Sequence, residues 1–156
     1  MAGPVPNAGL PLAGIRAVCL TGIWAGPYAS ELLADWGCEV IKMESTQRRQ
    51  LQTRGFNLRF PKGVKIKTED GAPWPWGYPD GEPGERPWNR FSQFNSHNRN
   101  KLSMTVDLTK SKGMDILRRL VKISDLFIEN NTPSTLEKLG ITYDWLKEAK
   151  PDIIMI

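Results

Sequence analysis

The turn Gly22-Ile23-Trp24-Ala25-Gly26-Pro27 is the part of this chain best suited to hold an anion. Two glycines give its backbone freedom. Pro27 fits the first position of a helix, where a missing N–H costs nothing. The helix N-terminus that follows attracts phosphate through free N–H groups and the macrodipole. A classical dinucleotide site does not fit. Its G-x-G-x-x-G fingerprint needs a second glycine where Trp24 stands, although Glu44 lies at the right distance for the ribose-binding acid. Glu44 reads equally well as a strand-end residue pairing with Lys42 or Arg48. Downstream, Arg48, Arg49, Arg54, Arg59, Lys62, Lys65 and Lys67 form a basic run without an acidic residue. Such a run suits a polyanion: a phosphate-rich cofactor, nucleic acid or a membrane surface. As a plain alternative it is a solvated loop.

Candidates for covalent or acid–base chemistry are few. His97, the only histidine, sits in a polar stretch (Asn95–Asn100). It reads as a hydrogen-bonding loop residue before a general base. Asp35 lies within a helix followed by Gly37 and reads as a capping or pairing residue. Asp107 ends a strand, and a structural role is favoured there too. Cys19 and Cys38 have neither metal-ligand spacing nor a disulfide framework. They read as buried, reduced thiols in a cytoplasmic protein.

These residues are positioned by strands and helices in alternation. The pattern predicts strands at Ile15–Leu20, Glu39–Met43, Leu102–Leu108, Leu126–Glu129 and Ile153–Ile156. It predicts helices from Pro27, over Lys112–Ile123 with Ser111 as N-cap, after Thr132-Pro133 to Leu139, and over Asp144–Ala149. Gly140 is the expected left-handed stop of the third helix. Alternation implies an α/β fold: a Rossmann-like parallel sheet with flanking helices and right-handed crossovers. Ligands of such sheets sit beyond the C-terminal strand ends. That gathers Thr21–Gly26, Glu44–Ser45, Asp107–Thr109 and Glu129–Pro133 around one crevice.

Residues 1–13 read as a flexible arm, and 14–156 as the N-terminal part of the α/β domain. About 45–99 is an irregular Trp/Pro-rich insertion, expected to be a lid or interface that buries Trp74, Trp76 and Trp88. Ile153–Ile156 is apolar throughout, as a central parallel strand would be. A sheet that ends there reads as incomplete at the C-terminus, so the chain is expected to be part of a longer protein or to need a partner chain. At 156 residues, 40% of them apolar, it can bury one core. No run reaches the ~18 apolar residues of a membrane span.

Four blocks in register carry a family resemblance. The first runs from Leu12 to Glu44, with Gly14-Ile15-Arg16, Leu20-Thr21, Ala25-Gly26-Pro27, Leu32-Leu33-Ala34-Asp35-Trp36-Gly37 and Glu39-Val40-Ile41-Lys42. The others are Asn98–Ser103, Val106-Asp107-Leu108 with Gly113, and Ser124–Asn130 continued by Leu139-Gly140 through Pro151. Together they resemble the opening of the family III CoA-transferases, which include formyl-CoA and carnitine CoA-transferases and the α-methylacyl-CoA racemases.

The resemblance implies coenzyme A, as acyl-CoA, for the substrate class. It implies contacts to CoA from Ile23, Trp24, Ala25, Val106, Asn130, Asn131, Lys138 and Leu139. It implies transfer of CoA to a carboxylic acid through an aspartyl mixed anhydride, with the nucleophilic Asp beyond Ile156, so that no catalytic residue is expected here. The alternatives are racemisation of an acyl-CoA, or a non-catalytic CoA-binding subunit completed by a partner chain. An interlocked homodimer is expected. No metal and no membrane are expected, and nucleic acid is disfavoured. Three positions depart from the family's pattern: Ser45 and Leu102 stand where Arg is frequent, and Thr109 where some members carry Lys. The basic run could supply the missing phosphate partners.

Overall fold

The computed structural model of the chain describes residues 9–45, 47, 51–56, 58–67 and 75–156. The chain divides into two compact units, residues 1–47 with 100–156, and residues 48–99.

The first unit is a parallel five-stranded sheet with helices between the strands. Its elements are β1 (Arg16–Leu20), α1 (Ala25–Asp35), β2 (Glu39–Glu44) and β3 (Leu102–Thr105). The chain then enters a helix at Ser111–Val121, β4 (Leu126–Glu129), two helices at Pro133–Leu139 and Tyr143–Ala149, and β5 (Ile154–Met155). The strand order is β3-β2-β1-β4-β5, with every pairing parallel. The expected α/β architecture is therefore present.

The period of two along each strand builds two cores on opposite faces. Ala17, Cys19, Val40 and Ile128 pack with Ala34 and Cys38 on the α1 face. Val18, Met43 and Phe127 pack with Leu117, Val121, Leu136, Leu146 and Ile153 on the other. Burying each large apolar side chain of this kind contributes about 1.5–3 kcal/mol.

Several boundaries move. β3 stops at Thr105, three residues early, although Val106 N still donates to Glu44 O (3.0 Å). The Asp107 carboxylate then takes the backbone N–H of Thr109 (3.0 Å), a local turn that ends the strand. Ser111 is the first residue of its helix and not the cap, which is Lys110 in extended conformation. The last helix opens one residue earlier than expected, at Tyr143, and Thr142 caps it: its hydroxyl accepts from Trp145 N (3.1 Å). Gly140 has φ 70°, ψ 20°, the left-handed stop that the sequence called for.

β5 forms one end of the described sheet, with Ile153 buried and Ile154 and Ile156 exposed. Residues expected in a loose arm are also held: Leu12 N donates to Trp36 O (2.9 Å), and Leu12 packs on the α1-side core.

The second unit holds short helical turns: α2 (Leu51–Arg54), 3₁₀ turns at Pro75–Gly77 and Pro79–Gly81, α3 (Pro87–Arg90) and α4 (Ser92–Ser96). Its small core is Tyr78 against Phe91, with ring centroids 5.2 Å apart, and Phe56 stacked on Tyr78 at 5.7 Å. The Tyr78 hydroxyl accepts from Phe56 N (2.6 Å). Trp76 is exposed and Trp88 half-buried, while Trp74 lies outside the described residues. Gly77 lets the Phe91 ring approach closely, since a Cβ there would lie 2.2 Å from it. Among the described residues, no helix is long and apolar enough to cross a membrane.

Candidate functional site

Five parallel strands bring their C-terminal ends to one edge of the sheet. The chain leaves β1 toward β2 and β3 on one side, then returns from β3 to place β4 and β5 on the other. The loops after β1 and β4 therefore diverge, and the crevice between them is where such sheets take ligands.

Asn130 and Asn131 span this crevice from the β4 side. The Asn130 carboxamide accepts from Gly22 N (2.8 Å) and donates to Ile23 O (2.7 Å). Asn131 Nδ2 donates to Leu20 O (2.7 Å), while its backbone N–H is held by the Glu129 carboxylate (2.6 Å). Both asparagines are thus brought to the β1–α1 turn, where they hold its backbone. Gly26 makes the close approach possible: a Cβ there would lie 2.7 Å from Asn130 Cγ and 2.7 Å from Thr21 Cγ2.

The turn differs from its sequence reading in two ways. The residue with positive φ is Trp24 (φ 47°, ψ −91°), and neither Gly22 nor Gly26 has one. A non-glycine in that region stores about 1–3 kcal/mol, and such residues cluster at functional sites. The helix also opens at Ala25, with Tyr28 N donating to Trp24 O (2.9 Å), so Pro27 is its third residue. Proline is harmless there for the reason given for the first position, since the first four N–H groups have no intrahelical partner. Trp24 and Ala25 are exposed and Ile23 is half-buried. The three residues expected at CoA therefore form the mouth of the turn, beside the helix N–H groups.

Beneath the turn lies a polar network that the sequence reading missed. Lys42, 4% exposed, donates its ammonium to Thr21 O (2.9 Å). Lys101 donates to Pro27 O (2.6 Å) and to Ser30 Oγ (2.9 Å). Ser30 in turn donates to Gly26 O (2.8 Å), and the Cys19 thiol lies 3.2 Å from Ser30 Oγ. Glu31 is fully buried on the same helix face. Burial lowers the pKa of Lys101 to about 8; Cys19 opposes the shift, Lys42 adds to it, and Glu31 and Asp35 oppose it. The signal was available for Lys42, because strand alternation puts it on the same face as the buried Val40.

The other expected residues fall further away. Val106 follows β3, at the opposite end of the sheet from β5, and packs against the second core. Lys138 is exposed and Leu139 half-buried in the last turn of the helix Pro133–Leu139. Lys138 is five residues into that helix, about 7.5 Å along its axis. Neither asparagine bond reaches these three residues.

The carboxylates of this unit are engaged locally. Asp35 accepts from Asn100 Nδ2 (2.7 Å), and Asp107 from the Thr109 hydroxyl (2.6 Å). Glu44 accepts from the Ser103 hydroxyl (3.2 Å), and Ser45 from Gln47 N (3.2 Å). Leu102 is exposed.

In the second unit, His97 Nδ1 lies 2.8 Å from Gln93 O and 3.0 Å from Ser96 Oγ at the end of α4, the hydrogen-bonding role expected. Of the basic run, Arg48 and Arg49 lie outside the described residues. Arg54 bonds Trp88 O (3.0 Å) and covers the Phe94 ring at 3.2 Å, so it serves the local fold. Arg59, Lys62, Lys65 and Lys67 are exposed. Among the described residues, no cluster of His, Cys, Asp or Glu could hold a metal.

A parallel sheet flanked by helices, with diverging loops at the C-terminal ends of β1 and β4, defines an α/β protein. Comparison with known proteins specifies which. The model of CoA-transferase family III matches residues 12–156, and the chain belongs to that family. It is 34% identical over 143 residues to an acyl-CoA transferase of Fusarium pseudograminearum, covering 92% of this chain and 27% of that protein. It is 32% identical over 150 residues to the succinate–glutarate CoA-transferase of Agrobacterium fabrum, covering 96% of this chain and 32% of that protein. The crystal structure of a CAIB/BAIF family protein from Brucella suis superposes with a TM-score of 0.66 at 31% identity, over 94% of this chain and 32% of that one. The chain thus spans about a third of the length of these relatives.

Proposed function

We propose that this chain is the N-terminal, CoA-binding part of an enzyme that moves CoA from an acyl-CoA thioester to a carboxylic acid. The observation that carries the reading is the turn Gly22–Pro27, held from below by Asn130 and Asn131 and strained at Trp24. In this reading the CoA phosphates lie at the N–H groups of Ala25 and Gly26. The exposed Trp24 ring covers the ligand, and Ile23 lines it. Asn130 and Asn131 act through the turn, and Val106, Lys138 and Leu139 contribute from the rim.

The nucleophile comes from elsewhere in this reading. Asp35 and Asp107 are occupied by Asn100 and Thr109. An aspartate of the longer protein attacks the thioester carbonyl carbon. The new C–O bond gives a mixed anhydride, the C–S bond breaks, and CoA leaves as the thiolate. The complete enzyme assembles as an interlocked homodimer or with a partner chain, in the cytoplasm.

Trp24→Gly tests the assignment. Glycine accepts φ 47° without strain, so the melting temperature should hold or rise, while CoA affinity by calorimetric titration falls at least tenfold. Unchanged affinity would remove Trp24 from the site. Failure of the unaltered chain to bind CoA would remove the reading itself.

A further inference from the structure

Helix α1 carries its polarity the wrong way round. The residues it buries are Gly26, Pro27, Ser30, Glu31 and Ala34. Every exposed residue from Trp24 to Trp36 is apolar or aromatic: Trp24, Ala25, Tyr28, Ala29, Leu32 and Trp36. A surface helix ordinarily turns its polar and charged side chains to water and its apolar stripe to the core. Here Ser30 and Glu31 are fully buried, while Tyr28 (51% exposed), Leu32 (43%) and Trp36 (61%) meet solvent. Leu10, also exposed, extends the patch past the end of the helix, since a Cβ on Gly37 would lie 2.8 Å from Leu10 Cβ. A contiguous exposed apolar patch marks an interaction surface.

The row is spaced for a copy of itself. Tyr28, Leu32 and Trp36 stand four residues apart, the ridge that interdigitates in the commonest class of helix packing. A second α1 laid antiparallel sets Leu32 against the partner's Leu32 on a two-fold axis. Tyr28 then meets the partner's Trp36, and the reverse contact follows by symmetry. An isologous interface requires a self-complementary patch of this kind. A buried aromatic side chain contributes about 150–250 Å², and roughly half of that is still open on Tyr28 and on Trp36. With Leu10 and Leu32 the patch offers on the order of 400 Å² per copy, against about 800 Å² in a standard interface. Association on this face is therefore reversible and concentration-dependent.

We propose that the outward face of α1 is a contact surface for a second copy of this chain, packed antiparallel about a two-fold axis at Leu32. The inference rests on the homodimer of the proposed function, to which it assigns a surface, and not on CoA binding. Trp24, given to the ligand in that reading, is not needed for it.

Sedimentation of the full chain over a range of concentrations tests the proposal. The unaltered protein should pass from monomer to dimer as concentration rises. Leu32→Lys alone and Leu32→Glu alone each set like charges face to face, and should weaken association roughly a hundredfold. An equimolar mixture of the two should recover the dimer, because lysine then meets glutamate across the axis. Leu32 is at the surface, so both variants should melt like the unaltered protein. Trp36→Gln introduces no charge and should weaken association about tenfold, which keeps the test decisive should a charged variant not fold.

An unaltered chain that stays monomeric throughout overturns the inference. Dimerisation that neither Leu32→Lys nor Trp36→Gln weakens also overturns it, while the homodimer reading stands on another face. Charged variants that remain monomeric when mixed overturn the axis at Leu32. The CoA reading is untouched by all three results, since an acetyl-CoA titration of the same samples tests it separately.

Discussion

Gly26→Ala tests how tightly the asparagine latch is built. The added Cβ would lie 2.7 Å from Asn130 Cγ, 2.7 Å from Thr21 Cγ2 and 2.8 Å from Thr21 Cβ. Ordinary contacts of this kind are about 3.5–4.0 Å, so something must move by most of an ångström. Thr21 is a poor candidate, since its carbonyl is held by Lys42 (2.9 Å) and its hydroxyl lies 3.0 Å from the Cys19 thiol. Asn130 is the part that yields, and it then loses its bonds to Gly22 N and Ile23 O.

Overpacking of this kind costs about 1–3 kcal/mol. Alanine recovers about 0.5–1 kcal/mol over glycine within a helix, and α1 is already helical at this residue. The net loss is therefore about 1–2 kcal/mol. For a chain of this size that lowers the melting temperature by roughly 2–8 °C. The assay pairs a thermal melt with a CoA titration, and affinity should fall by more than the melt alone suggests, because the displaced backbone is the proposed phosphate site. Adding Asn130→Gly to Gly26→Ala should cost less than the two single changes together, since they act on one contact. A Gly26→Ala protein as stable as the original, with unchanged CoA affinity, would refute the close-packed latch.

Gly113→Ala should be still more damaging, at or above about 2 kcal/mol, because its Cβ would meet the backbone carbonyl of Asp107 at 2.0 Å, and no flexible side chain can give way; chemical denaturation measures it. Phe91→Ala should cost about 3–5 kcal/mol of the second unit's stability, since Phe91 is fully buried against Tyr78. Amide exchange should then accelerate over residues 75–97 before it does in the sheet. Stability should rise between pH 8 and pH 9. Lys101 has a folded pKa of about 8 against 10.5 ordinarily, so across this interval the unfolded chain binds more protons. The slope is at most about 1.4 kcal/mol per pH unit. Cys38, pushed up to about 11 by burial and then by Asp125 and Glu39, acts with the opposite sign, but only above its ordinary 9.0. Lys101→Met should abolish the rise; a rise that survives the substitution would assign it elsewhere.

The sheet was legible because its cause is local. Alternation at Arg16–Leu20 and Glu39–Glu44 and the left-handed stop at Gly140 each follow from nearest neighbours in the chain. β5 was legible as a strand from its apolar run, but such a run says that a strand can be buried, not which strands flank it. The second unit resisted reading for a related reason. Its order comes from Tyr78, Phe91 and Phe56 meeting across thirty-five residues of chain, with no period to announce it.

The site shows the same division. Ile23, Trp24 and Ala25 were legible as a turn before a helix, yet its strain falls on Trp24 because tertiary contacts dictate the backbone there. Asn130 and Asn131 were correctly drawn to that turn, but their carboxamides are used up on main-chain groups 107 to 111 residues away. A lysine in a strand or loop reads as exposed by default, since burying it alone is costly. Lys42 and Lys101 depart from that default where Thr21 O, Pro27 O and Ser30 Oγ converge on them after folding. Such convergence has no signature in sequence spacing.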